Sequence, residues 1–165
     1  MTGLKRYIGF AVLAIGVITI VLGGYFVSQG LAARDEIRAS LAEEQVTTTI
    51  DEVKVPVADQ TTLMNQADVI KGHTLGRYGP WQGMERDDPN RTTMLDGMTL
   101  RNSLYLARMG LDVSELVIGL GAIFLTLGTG LAIAGAVIVQ VERAMTEKKP
   151  VEDAREAVAQ APPAY

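Results

Sequence analysis

The stretch from Asp88 to Val141 decides the fold: DPNRTTMLDGMTLRNSLYLARMGLDVSE, then LVIGLGAIFLTLGTGLAIAGAVIVQV. It opens on a helix-start signal. A residue before proline avoids the helical region, as an N-cap does, and aspartate is a good cap. Proline suits the first helical position, so Asp88 and Pro89 predict where a helix begins. Arg91 stands three residues on, where a capping box would need Glu or Gln. The stretch closes on Leu116 to Val141, 26 residues without a charge. At 1.5 Å per residue that run is roughly 39 Å long, more than a ~30 Å hydrocarbon core requires. One long helix is expected, its first half in water and its second half in lipid.

A second charge-free run lies at the other end of the chain, Tyr7 to Val27, 21 residues. Both runs reach the ~20 apolar residues of a spanning helix. The first is longer than the ~7–15 residues of a signal h-region, and Gly30 to Ala33 makes a poor cleavage site, so an uncleaved anchor is expected. Lys5 and Arg6 precede the first run; Arg143, Lys148 and Lys149 follow the second. Basic flanks stay cytoplasmic, which puts both termini inside and the middle segment outside. The organisation read from this is a start and first span over 1–30, an extracytoplasmic cap and helical lead-in over 31–115, a second span over 116–141, and a cytoplasmic tail over 142–165. The tail is polar and Ala/Pro-rich, so disorder is expected, with a short helix between Pro150 and Pro162 as the alternative. The fold class is mainly α: two antiparallel transmembrane helices, extended by amphipathic helices, carrying a small cap of short strand and irregular structure.

Glycines mark how the spans meet. Gly9, Gly16 and Gly23 recur at sevens in the first, and Gly30 continues the row; Gly121, Gly128 and Gly135 recur at sevens in the second. A seven-residue repeat keeps one stripe on one side of a helix pair. In lipid, small residues that admit close backbones mark interfaces, so these stripes predict packing between the spans or between chains. No Asp, Glu, Lys, Arg or His lies in either run, so no proton or ion path is visible there.

The middle segment reads as smaller pieces. Ala33, Ile37 and Leu41 continue the first helix outward with one apolar edge, and Asp35 can pair with Arg38. Gln45 to Val57 is β-branched and reads as one short strand or an extended pair, ended by Pro56. Thr61 to Lys71 reads as a short helix capped by Thr61 or Thr62 and ended by Gly72. Gly72 to Asp88 is an irregular tip. In the lead-in, Leu100, Leu104, Ala107 and Leu111 form an apolar stripe beside Met94, Met98, Tyr105 and Met109, while Gly97 and Gly110 weaken the helix.

Candidate chemistry is sparse. The chain has no cysteine, hence no disulfide or thiolate site, and its net charge of −4 with no basic block excludes nucleic acid as the expected partner. His73 is the only histidine; Asp68, Glu85, Asp87 and Asp88 could join it only in an unusual zinc site, and one histidine cannot build a two-His-one-carboxylate iron site. The cluster Glu85 to Arg91 lacks the spacing of a calcium loop and reads as a helix cap with Arg86 or Arg91 as local partners. Met84, Met94, Met98 and Met109 read as core filling rather than metal ligands. No catalytic, cofactor-binding or metal-ligating set is expected, and the lipid bilayer is the expected partner, with the chain itself or another membrane protein beside it. Tyr78, Trp81 and His73 are a possible contact surface, although Tyr78, Pro80 and Trp81 could equally pin the tip to its own core.

The chain resembles a family of small two-span bacterial membrane proteins of unknown function. The Thr-rich piece Val46 to Val57, the run Ala67-Asp68-Val69-Ile70-Lys71 followed by His73, and Arg86-Asp87-Asp88-Pro89-Asn90-Arg91 carry the resemblance. It implies residence in the bacterial inner membrane. Some members are labelled aromatic ring-opening dioxygenases, but the iron ligands such an activity needs are missing from this sequence. The expected function is a non-enzymatic subunit or organiser of a membrane assembly, with a membrane-anchored extracytoplasmic binding or sensing module as the alternative and an enzyme third.

Overall fold

The structure, a computed structural model, describes residues 2–159, with side chains from 7 to 146. It is mainly helical: α1 (Thr2–Glu43), β1 (Thr47–Ile50), β2 (Val53–Pro56), α2 (Gln60–His73), α3 (Leu75–Tyr78), a 3-10 turn (Trp81–Gly83) and α4 (Arg91–Ala159). α1 and α4 are long and apolar enough to cross a membrane. The chain divides into two compact units, residues 1–25 with 120–165, and residues 26–119.

The first unit is a pair of antiparallel helix segments. Gly9 lies at Val139, Gly16 at Gly128 and Ala132, and Gly23 at Gly121 and Leu125, so rising numbers on α1 meet falling numbers on α4. Large apolar side chains cover the outside; Ile18 is 60 % exposed and Ile133 likewise 60 %. α4 continues beyond Val141 through Pro150 to Ala159, where the sequence predicts disorder or a separate helix starting at Pro150. Propensity alone would break the helix there, because proline lacks the N–H that bonds the preceding turn. The expected stop at Pro162 and the side chains of Lys5, Arg6, Lys148 and Lys149, on which the orientation argument rests, lie outside the described residues.

The second unit has a side-chain core: Leu41, Val57, Leu63, Ala67, Leu104 and Leu111. α1 ends in a Schellman motif. Val46 N–H donates to Leu41 O at 3.2 Å and Gln45 N–H to Ala42 O at 3.1 Å, with Gln45 left-handed at φ 53°. Val46 then packs against the cluster holding Leu41, the apolar contact that completes the motif. The extended segment is a hairpin, Thr47 opposite Pro56 and Ile50 opposite Val53. Its two-residue turn, Asp51 and Glu52, holds both residues at positive φ (49° and 67°), the twist that matches two antiparallel strands.

Several local expectations are corrected here. α2 is capped by Asp59, not Thr61 or Thr62. Thr62 N–H donates to Asp59 Oδ1 at 2.8 Å while Thr62 Oγ1 accepts from Asp59 N–H at 3.1 Å, a reciprocal box with threonine where Glu or Gln is usual. Gly72 does not end α2; the helix runs to His73, and the Thr74 hydroxyl closes it by donating to Ile70 O at 2.7 Å. Arg38 turns away from Asp35 and donates from Nε to Ala58 O at 3.1 Å, while Arg34 lies 4.0 Å from Asp35. On α4 the buried row is Met94, Gly97, Leu104, Leu111 and Ser114, whereas Leu100 and Met109 are each 57 % exposed.

Candidate functional site

The glycine row on α1 is where two helices come closest in the first unit. A Cβ on Gly16 would sit 2.8 Å from Gly128 O and 2.8 Å from Ala132 Cα; one on Gly23 would sit 2.8 Å from Gly121 O. From the other side, a Cβ on Gly128 would lie 2.7 Å from Ile20 N, and one on Gly135 2.7 Å from Leu13 Cα. Gly9 meets a side chain, Val139 Cγ2 at 2.9 Å, so contact turns from backbone to side chain at that end. Gly121 is itself buried. By contrast Gly24, Gly119 and Gly130 face open space, with nothing within 4 Å. The seam therefore uses a chosen register of the glycines and leaves the others free. Thr126 and Thr129 donate to Ala122 O and Leu125 O of their own helix and take no part in it.

Two shallow grooves accompany these elements. One, of about 350 Å³, lies in the first unit between Ile8, Val137, Ile138, Val141, Glu142 and Met145. The other, of about 160 Å³, lies in the second unit with Leu41, Val46, Ile70 and Leu100 in its wall and Glu44 and Ser103 beside them.

The tip is arranged around Arg91. Its guanidinium stacks over the Trp81 ring at 4.1 Å and donates from Nη1 to Met84 O at 2.9 Å. An arginine read as a neighbour for the Asp87 and Asp88 carboxylates thus ties the tip to the first turn of α4 instead. Asp88 Oδ1 accepts from Asn90 N–H at 2.7 Å, and Arg91 N–H donates to Asp88 O at 3.1 Å, so Pro89 and Asn90 form a tight turn ahead of the regular helix. Tyr78 is half-buried with Arg77 over its ring at 5.6 Å, and His73 is exposed at the end of α2. The structure gathers Trp81, Asp88 and Arg91 into one corner and does not bring His73 into a cluster of ligands. Among the described residues no group of three His, Cys, Asp or Glu side chains could hold a metal ion.

No protein family, curated protein or solved structure matches the chain.

Two packing glycines in the second unit are read from sequence only as weak points. A Cβ on Gly97 would collide with the Thr74 methyl, and one on Gly110 would lie 2.7 Å from Ile37 Cδ1. Their spacing to buried neighbours was the available signal: Gly97, Leu104 and Leu111 recur at sevens. Asp59, the cap of α2, has a shifted carboxyl. The Thr62 backbone N–H that it accepts holds it below the usual carboxylate range, against a smaller opposing effect of burial.

Proposed function

We propose that the chain is a non-catalytic, two-span protein of the bacterial inner membrane, with both ends cytoplasmic and residues 31–115 outside, acting as a subunit or organiser of a membrane assembly. One observation carries the reading. Only 11 % of the most apolar stretch of α1 and 17 % of that of α4 is buried. A core helix of a soluble protein hides its apolar face; these helices turn theirs outward, which is what lipid favours. The glycine seam supports it, since close backbone contact is how helices associate where apolar force between them is absent. The basic flanks supply the orientation. The resemblance to small two-span bacterial proteins supplies the compartment.

The test uses the chain's lack of cysteine. Single cysteines at Glu52, in the hairpin turn, and at Thr146, near the far end of α4, are treated with a membrane-impermeant maleimide in spheroplasts. Glu52→Cys should label at once and Thr146→Cys only after permeabilisation, and both variants should resist carbonate extraction. Release by carbonate, or labelling in the opposite order, overturns the reading.

A further inference from the structure

The groove of about 350 Å³ in the first unit is apolar in five of its six lining residues, Ile8 on α1 and Val137, Ile138, Val141 and Met145 on α4. The sixth is Glu142, the first ionisable residue after the charge-free run. The groove lies beside the last contact of the glycine seam, where a Cβ on Gly9 would sit 3.0 Å from Ile138 Cγ2. Glu142 is half-buried. Its Oε2 is shielded from solvent, and no donor among the described residues reaches it. The Thr146 hydroxyl, one turn on, is committed to the backbone and donates to Glu142 O at 2.8 Å. A carboxylate oxygen that is shielded and unpaired is unfavourable until a donor or a cation meets the group. Closed on that side, the carboxylate is open to a partner from the groove it lines.

We propose that this groove holds one phospholipid of the cytoplasmic leaflet whose headgroup ends in a primary ammonium. The inference deepens the membrane reading above and rests on it. In that reading the charge-free run ends at Val141, so Glu142 stands at headgroup level on the cytoplasmic side. Ile8, Val137, Ile138 and Val141 lie on the bilayer side of it, and of the lining residues only Met145 lies beyond. An acyl chain is the cover such a wall favours at this depth, but a chain alone leaves the carboxylate unmet. Charge complementarity names the rest. A primary ammonium supplies a positive charge and three N–H donors. A trimethylated ammonium brings the charge without a donor, and an anionic head brings a charge of the wrong sign. Arg143, exposed and next along α4, offers a cation for the phosphate. The apolar wall and the carboxylate thus match the two ends of one molecule, in the order in which such a lipid presents them.

Lipid retention tests this. The full chain is reconstituted in nanodiscs holding equal parts of ethanolamine, choline and glycerol phospholipids, and native mass spectrometry counts the lipids that stay bound. Wild type should keep one ethanolamine lipid per chain, several-fold more often than a choline lipid. Glu142→Gln, which keeps the shape and removes the charge, should lose that preference. Val141→Trp, which fills the groove, should cut retention of all three lipids, and circular dichroism should show unchanged helix content in both variants. No headgroup preference in wild type, a preference for the glycerol lipid, or an ethanolamine preference that survives Glu142→Gln would each overturn the proposal. The first of these is also the result expected if a cation of the chain itself meets Glu142. Carbonate extraction of native membranes separates the two readings. Retention of the protein without a headgroup preference removes the lipid site alone, and release removes the membrane reading beneath it.

Discussion

The two units solve helix packing in opposite ways. In residues 1–25 with 120–165, glycines admit backbone to backbone and the large side chains point outward. In residues 26–119, leucines, a valine and an alanine fill a core between helices and a hairpin, and most charge lies outside. The difference follows the surroundings each unit is proposed to have. Where water is outside, burying large apolar side chains stabilises by about 25 cal/mol per Å². Where lipid is outside, moving a leucine inward gains little, and closeness of approach takes over. One chain thus displays both rules, and substitutions should divide by unit.

The largest effect is expected at Leu63, which is 1 % exposed in the second unit. Leu63→Ala should cost ~2–5 kcal/mol, read as lower protection of α2 amides in hydrogen exchange, with the first unit's amides unchanged. Next comes the glycine seam. Gly16→Ala forces a methyl against Gly128 O and Ala132 Cα and should cost ~1–3 kcal/mol, whereas Gly24→Ala, in open space, should be neutral or slightly stabilising. Denaturation in mixed detergent micelles, monitored by circular dichroism, checks the pair. Equal effects at Gly16 and Gly24 would erase the contrast between the units.

The smallest effect is at the cap of α2. Asp59→Ala removes one half of the reciprocal box and should cost ~0.5–2 kcal/mol. It also carries a pH signature. The folded carboxyl titrates below its unfolded value of about 3.9, so its contribution is present above that pH and is lost as pH falls through the lower folded value. The stability gap between wild type and Asp59→Ala should therefore hold from neutrality down to about pH 4 and close below it. A gap that stays constant down to pH 2 would show that the carboxylate's charge contributes nothing.

The long helices were legible because their signals are periodic and repeated. The charge-free runs set their positions, and the sevens in Gly9, Gly16 and Gly23 and in Gly121, Gly128 and Gly135 mark a common face whatever they pack against. Short-range features were harder. Asp59 hides as a cap because its reciprocal partner is a threonine. Arg38 was read as a local ion-pair partner, but its guanidinium reaches Ala58 O, twenty residues away, a contact no helical spacing encodes. On the lead-in, two neighbouring apolar stripes were visible, and sequence alone cannot say which faces in. Leu104 and Leu111 are buried because the hairpin and α2 arrive on that side, leaving Leu100 and Met109 in the open. The corner of Trp81 and Arg91 is a further case: a cluster of charges suggests carboxylate partners, and an aromatic ring ten residues upstream takes the cation.

The glycine seam has an evolutionary corollary. Every single-base change in a glycine codon that substitutes another residue adds a Cβ. At Gly16, Gly23, Gly128 and Gly135 that atom has no free volume to enter, while at Gly24, Gly119 and Gly130 it meets nothing. Glycines that look alike in the sequence thus fall under opposite selection. In related sequences the first group should stay fixed while the second drifts to alanine, serine or valine, so drift at Gly128 would mark a lineage in which the two helices have parted.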